Sequence, residues 1–238
     1  MSSQSEYPMR INKYLAHEGH ATRRGADKII EEGKVLVNGD VAVLGQKVNE
    51  DDKVEVRFRH KKYQYLAYYK PRGVITHSPA EGEVDIAMRI KKDYSLTDVF
   101  PIGRVDKDSE GLILLTDDGR ITERVLNPDA NHEKEYLVVV DKRLTNSFKK
   151  KMELGVDIEG YLTKPAEVEL VTDIVFKIII TEGKKHQIRR MCASLGYQIE
   201  KLKRIRVMNI KIEQLKPAQY RKIAGGELKE FLDELKLK

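Results

Sequence analysis

The first fifty residues carry two kinds of apolar spacing. Ile11 and Leu15 sit four apart, and Gly19 follows as a helix stop. Thr22 is a natural N-cap for a second helix, on which Ala26, Ile29 and Ile30 recur at helical intervals before Gly33 ends it. The period then shortens. Val35-Leu36-Val37 and Val41-Ala42-Val43 flank Asn38-Gly39, the strongest local signal for a β-hairpin, and Val54-Glu55-Val56 adds one more alternating strand. These elements predict a helix–helix–hairpin module over 9–58, close to the lower size limit for a domain that folds alone. The stretch RFRHKKYQ that follows is charged and without apolar period, so a linker is expected at 59–64 and a second domain over 65–238.

In that second domain the pattern predicts strands at Tyr65–Tyr69, Gly111–Thr116, Lys134–Val140, Val168–Val171, Phe176–Thr181 and Arg204–Ile212. Helices are expected at Asp85–Lys91, Arg120–Leu126, Asn146–Leu154, His186–Leu195 and Gly226–Leu235. Strands do not alternate one-for-one with helices, so the fold class is α+β, on a mixed, mainly antiparallel sheet. No internal repeat or low-complexity segment interrupts it.

Charge changes this picture by where it sits. The net charge of +6 fits a nucleic-acid partner and a solvated basic surface equally well. Arg10, Lys13, Arg23, Arg24 and Lys28, however, gather on or beside the two N-terminal helices. Arginines at a helix N-terminus oppose its dipole, a cost that makes sense where both attract phosphate; a solvated basic face is the alternative. The single cysteine, Cys192, permits no intrachain disulfide and suits a reducing cytoplasm. It falls on the apolar stripe Ile188, Met191, Cys192, Leu195, which makes it a core residue rather than a nucleophile. No apolar run reaches the ~20 residues of a membrane span, and the polar N-terminus lacks the apolar core of a secretory signal.

Phosphate loops, dinucleotide turns, nucleophile elbows and zinc-ligand spacings are all missing. Three stretches can carry chemistry. In the first, a glycine-flanked polar loop, Gly103 to Gly111, runs into the apolar Leu112-Ile113-Leu114-Leu115 and could hold Asp106 at the mouth of a core; a plain turn aspartate is the alternative. In the second, a turn at Gly183 leads into a helix whose first turn bears Arg189 and Arg190, either of which could pair with a carboxylate or grip phosphate. His186 at that helix start is a cap, a surface group or an RNA contact. In the third, Tyr136 opens an apolar strand, as a core-edge tyrosine or as a ring that stacks on a base.

Two resemblances draw these stretches together. MRINKYLAHEGHATRRGADKIIEEGKVLVNGDVA resembles the small RNA-binding module named after ribosomal protein S-four. YYKPRGVITHS, GRVDKDSEGLILLTDDG, HEKEYLVVVD and ITEGKKHQIRRMCASLGYQIEKLKRIRVMNI, in that order, resemble the pseudouridine synthases of the RsuA/RluB/RluE/RluF group, with most likeness to the RluF branch. The resemblance implies that Asp106 is the catalytic aspartate, that Tyr136 packs on the target base, and that Arg189 pairs with Asp106 and keeps it ionised. It further implies that Arg104 helps fill the space left by the flipped base and that Lys70-Pro71 is a structural motif at the edge of the site. His186 and Arg190 join these as expected RNA contacts, with Arg10, Arg23, Arg24 and Lys28 on the N-terminal module. The basic run Lys201, Lys203, Arg204, Arg206, Lys211 would hold RNA backbone along a strand. The implied reaction isomerises uridine, so no cofactor and no metal is expected. The implied partner is ribosomal RNA, large-subunit RNA first, free or in an assembly intermediate, bound by a monomer. Small-subunit RNA as substrate, and a non-catalytic ribosome-assembly factor, are the alternatives.

Overall fold

The computed structural model describes residues 7–57 and 63–237, apart from the Arg24 side chain. Most of the linker expected at 59–64 lies outside the described residues. The chain forms two compact units. One covers the residues up to Tyr63 with Asp118–Ile121 and the chain end, and the other covers Gln64–Asp117 and Thr122–Leu235. Among the described residues no helix is long and apolar enough to cross a membrane.

In the first unit, β1 (Met9–Arg10) leads into α1 (Ile11–His17), α2 (Arg23–Glu31), β2 (Val35–Val37), β3 (Asp40–Val41), β4 (Lys47–Val48) and β5 (Val54–Val56). The Thr22 hydroxyl accepts from the Gly25 N–H at 3.0 Å and caps α2, as its position in the sequence predicts. Strand β2 lies between β3 and β5, and the β2–β3 turn places Asn38 and Gly39 at φ 53° and 95°, the positive pair a two-residue hairpin needs. Ile11, Leu15, Ala26, Ile30, Val35, Val37 and Val48 form its core. The two-residue β1–β4 ladder was not legible, because two residues carry no period. The second hairpin arm is shorter than expected: Val43 lies beyond the ladder and is exposed.

The second unit contains β6 (Tyr65–Lys70), α3 (Ile86–Tyr94), β7 (Phe100–Ile102), β8 (Glu110–Thr116), α4 (Arg120–Leu126) from Thr122 onward, β9 (Lys134–Val140), α5 (Asn146–Leu154), β10 (Glu167–Leu170), β11 (Val175–Ile180), α6 (Gln187–Ser194), β12 (Ile199–Val207), β13 (Ile210–Lys211), β14 (Tyr220–Lys222) and α7 (Gly225–Glu234). Its sheet runs β10-β11-β9-β12-β8-β6-β14, with β7 added to β8 and β13 to β12. Every pairing is antiparallel except β8 with β12. The mixed, mainly antiparallel α+β fold read from the sequence is the observed one.

Two clusters of the core lie on either side of the parallel β8–β12 seam. Val138, Val140, Phe176 and Ile178 pack with Phe148 and Met152 of α5 and with Ile188, Met191 and Cys192 of α6. Leu66, Tyr68, Ile113 and Leu115 pack with Ile86 and Ile90 of α3 and with Val74 and Val105. Burial pushes the Cys192 thiol up to about 12, which leaves it an inert core group. The single strand expected over 204–212 is instead β12, which starts five residues earlier, and a tight hairpin to β13 with Met208 at φ 51°.

Candidate active site

The loop between β7 and β8 carries Asp106, and the cavity beside it is lined by Ile75, Thr76, His77, Arg104, Val105, Asp106, Lys107, Asp108 and His186. Its volume of about 230 Å³ is below the roughly 300–1,000 Å³ of pockets that enclose drug-sized ligands, the scale of one flat ring. The loop is polar because it must turn outside the sheet, and it is aimed because both ends are anchored. Val105 is buried in the α3 core, Ser109 is buried at the start of β8, and the Ser109 N–H donates to the Asp106 carbonyl at 3.0 Å. The Asp106 side chain keeps 36% of its surface, so a substrate can reach it.

The turn before α6 also contributes to the site. His186 adopts the left-handed conformation, φ 51°, and its Nε2 lies 3.6 Å from Asp106 Oδ1. Behind it, the buried Glu182 carboxylate accepts hydrogen bonds from Gln187 Nε2 (2.7 Å), the Lys164 N–H (3.0 Å) and the Tyr161 hydroxyl (2.6 Å). Gln187 Oε1 in turn accepts from the Lys184 N–H at 2.9 Å. This network fixes the turn that presents His186.

The expected ion pair between Asp106 and Arg189 is not formed. Arg189 Nη2 instead donates to the Asp108 carbonyl at 3.0 Å and to Ser109 Oγ at 3.1 Å. The arginine therefore grips the loop just past the aspartate. Among the described residues His186 is the cation-forming group within 4 Å of the Asp106 carboxylate. Spacing could place Arg189 on the correct face of α6, but could not decide between a carboxylate and carbonyl two residues apart.

Lys70, at the end of β6, is completely buried, and its Nζ donates to the carbonyls of Pro71 (3.0 Å) and Val74 (2.7 Å). Burial pushes its ammonium down to about 8, while Asp106 and Glu110 pull the other way. At neutral pH it stays charged and ties down the turn that leads to the cavity wall. Because the folded value lies below the ordinary 10.5, between pH 8 and 10.5 the unfolded chain holds a proton the folded chain has released. Raising the pH through that window therefore favours folding. Relative to Lys70→Met, the wild-type unfolding free energy should climb by on the order of 2 kcal/mol between pH 8 and 10. Urea melts at the two pH values measure it, and parallel slopes would deny the burial penalty.

The remaining residues scatter. Arg104 is exposed in the cavity wall. Tyr136 is half-buried on β9, in register with Ile178 and Arg204 and outside the residues lining the cavity. Arg190, expected to contact RNA, donates to the Ile158 carbonyl at 2.8 Å and to Glu159 at 2.7 Å, which engages it with its own chain. Within the basic run expected to grip RNA, Arg204 is buried and donates to the carbonyls of Leu112 (2.7 Å) and Arg104 (3.3 Å). Arg206 pairs with Glu133 and Glu135, and Lys203 lies 4.7 Å from the Tyr69 ring centre. These are structural engagements that strand alternation does not reveal. Ile75, Thr76 and His77, which wall the cavity, carried no role in the sequence reading: a threonine after two branched apolar residues looks like ordinary strand. On the first unit, Arg10, Arg23 and Lys28 are exposed and, among the described residues, form no ion pair.

Comparison with known proteins bears on the same segments. The RNA pseudouridylate synthase family model matches residues 64–194 and the S4 domain model residues 9–54. The dual-specificity RNA pseudouridine synthase RluF of Escherichia coli (strain K12) is 38% identical over 230 residues, 92% of this chain and 77% of that one. The ribosomal large subunit pseudouridine synthase B of Bacillus subtilis (strain 168) is 33% identical over 230 residues, 92% of this chain and 94% of that one. A crystal structure of a pseudouridylate synthase superposes with a TM-score of 0.67 at 28% identity, covering 95% of this chain and 99% of that one. On both sequence and fold, the chain belongs to the RNA pseudouridine synthase family, and it carries an N-terminal S4 domain.

Proposed function

We propose that this chain isomerises a uridine of ribosomal RNA, in the large subunit, with Asp106 as the reacting carboxylate. The observation that carries the reading is Asp106 in a ring-sized cavity with His186 3.6 Å away. The net chemistry is an isomerisation: the ribose C1′–N1 bond breaks, a C1′–C5 bond forms, C5 gives up a proton and N1 gains one. An ionised carboxylate can serve at the anomeric carbon or on the ring. The base must leave its stack, which costs a few kcal/mol, and the cavity would receive it. Arg104 would enter the vacated space. Arg189 supports the loop through Asp108 and Ser109 rather than by an ion pair. The base-packing role of Tyr136 rests on family likeness and on its register with Arg204.

Large-subunit RNA is favoured by the likeness to a relative named as a ribosomal large subunit pseudouridine synthase. Action as a monomer, on free RNA or an assembly intermediate, is part of the same proposal. The thiol of the single, buried Cys192 suits the cytoplasm. The test is to map pseudouridines across both ribosomal RNAs from cells with and without the gene. Loss of a large-subunit position is expected; loss confined to small-subunit RNA would move the substrate, and no loss would remove it.

The first unit is proposed to grip RNA through Arg10, Arg23, Arg24 and Lys28. Changing Arg10, Arg23 and Lys28 together to glutamine should flatten the plot of log affinity against log salt by about 2, at ~0.7 for each phosphate no longer neutralised on single-stranded RNA. An unchanged slope would place the grip elsewhere.

A further inference from the structure

The loop that holds Asp106 is tied by hydrogen bonds to the chain before α3. The Thr76 hydroxyl is buried, donates to the Val105 carbonyl at 2.8 Å and accepts from the Val105 N–H at 3.1 Å. One hydroxyl thus engages both polar backbone groups of the residue preceding Asp106, using its single hydrogen and one lone pair. On the far side of Asp106, the Gly73 N–H donates to the Lys107 carbonyl at 2.8 Å. The same short segment, 73–76, therefore holds the backbone on both flanks of the aspartate. Its own position is fixed by α3. The Ile75 N–H donates to the Val84 carbonyl (2.9 Å), and the Ile86 N–H, at the first residue of α3, donates to the Ile75 carbonyl (3.0 Å). Ile86 and Ile90 of α3 share a core with the Val105 side chain.

The Asp106 carboxylate itself is held by much less. Among the described residues no group donates a hydrogen bond to it, and His186 stands 3.6 Å away. Its direction in the cavity is therefore set by its backbone. We propose that Thr76 is a positioning residue for the isomerisation, aiming Asp106 through the paired hydrogen bonds to Val105; this rests on the reading of Asp106 as the reacting carboxylate. A misplacement of about 1 Å at a reacting group can lower a rate about 100-fold, so a clamp on the adjacent residue is worth a measurable factor.

Thr76→Val keeps the branched shape and removes both hydrogen bonds. Under single-turnover conditions with saturating enzyme, the rate of pseudouridine formation should fall about 10- to 100-fold. The enzyme concentration giving half-maximal rate should stay within about twofold, since the RNA grip is untouched, and Thr76→Ser, which keeps the hydroxyl, should restore the rate. A merely structural threonine would lower the melting temperature of Thr76→Val and leave the folded enzyme's rate unchanged, and that result overturns the proposal. So does Thr76→Ser falling as far as Thr76→Val, or an effect on half-saturation alone. If Thr76→Val does not fold, Thr76→Ser against Thr76→Ala decides: a tenfold gap supports the clamp and equal rates reject it. The underlying reading fails separately, if Asp106→Asn still makes pseudouridine.

Discussion

Asp106→Asn should reduce pseudouridine formation at least about a thousandfold, roughly 4 kcal/mol of transition-state stabilisation, while the protein folds and binds RNA as before. The separation of the two effects follows from how the residue is held. Its contribution to the fold is made by its carbonyl, which accepts from the Ser109 N–H, and by its neighbours Val105 and Ser109, which are buried. The carboxylate is partly exposed and makes a single long contact with His186. An amide of the same shape leaves all of this in place, so the stability change should stay within about 0.5 kcal/mol. What the amide removes is the negative charge and the nucleophilic or basic oxygen; Asp108, the other acid lining the cavity, lies two residues further along the loop, and among the described residues the ion-pair contact of His186 is with Asp106. Asp106→Glu tests aim rather than charge. It keeps the anion one methylene further out and should still lose about 100-fold. Rates are compared in single turnover, with affinity taken from filter binding at fixed salt. An Asn variant retaining a tenth of the wild-type rate would remove Asp106 from the chemistry.

Much of the fold was legible because its signals are local. Strand β9 and helices α4 and α5 lie at the residues the apolar period indicates. The caps do what their side chains allow, with Asp85 accepting from the Met88 N–H at 2.8 Å and Thr145 from the Phe148 N–H at 3.0 Å. The three-residue strands β7 and β14 were missed, since Phe100-Pro101-Ile102 and Tyr220-Arg221-Lys222 hold too few residues to show alternation and are recruited by β8 and β6. The site divides along the same line. Motif order brought Asp106, Arg104, His186 and Arg189 to one loop and the helix facing it, but not the partner of each. Arg204 looks like one charge in a basic alternating strand. Its burial depends on carbonyls 92 and 100 residues earlier in the chain, and nothing local reports them. The same holds for Thr76, whose acceptor and donor lie 29 residues on. Sequence pattern shows which residues share a face; which polar atom satisfies which is a property of the packed sheet.

That packing is tightest at Gly111, and Gly111→Ala is expected to be the most destabilising small substitution in the second unit. Gly111 has φ 110°, a conformation that side-chain-bearing residues rarely adopt. A Cβ built on it would lie 2.2 Å from the Arg204 carbonyl oxygen and 2.6 Å from the Arg204 nitrogen. Those atoms are backbone in β12, directly opposite in the parallel ladder, where Lys203 faces Glu110 and Arg204 faces Gly111. They cannot rotate away as a side-chain tip could; the two strands would have to part. Conformational strain of about 1–3 kcal/mol and overpacking of a similar size together reach roughly 3–5 kcal/mol, a large share of the ~5–15 kcal/mol that holds a domain together. At about 2–4 °C per kcal/mol for a domain of this size, the melting temperature should drop by about 10 °C or more. Gly160→Ala is the control: its φ is 84°, yet nothing lies within 4 Å of the added Cβ, so it should cost only about 1 kcal/mol. Activity should fail along with stability at Gly111, because parting β8 from β12 also pulls Arg204 off the Leu112 and Arg104 carbonyls and so loosens the loop that aims Asp106. If Gly111→Ala melted within about 2 °C of the wild type, the close parallel approach of β8 and β12 would be wrong, and with it the support assigned to the aspartate.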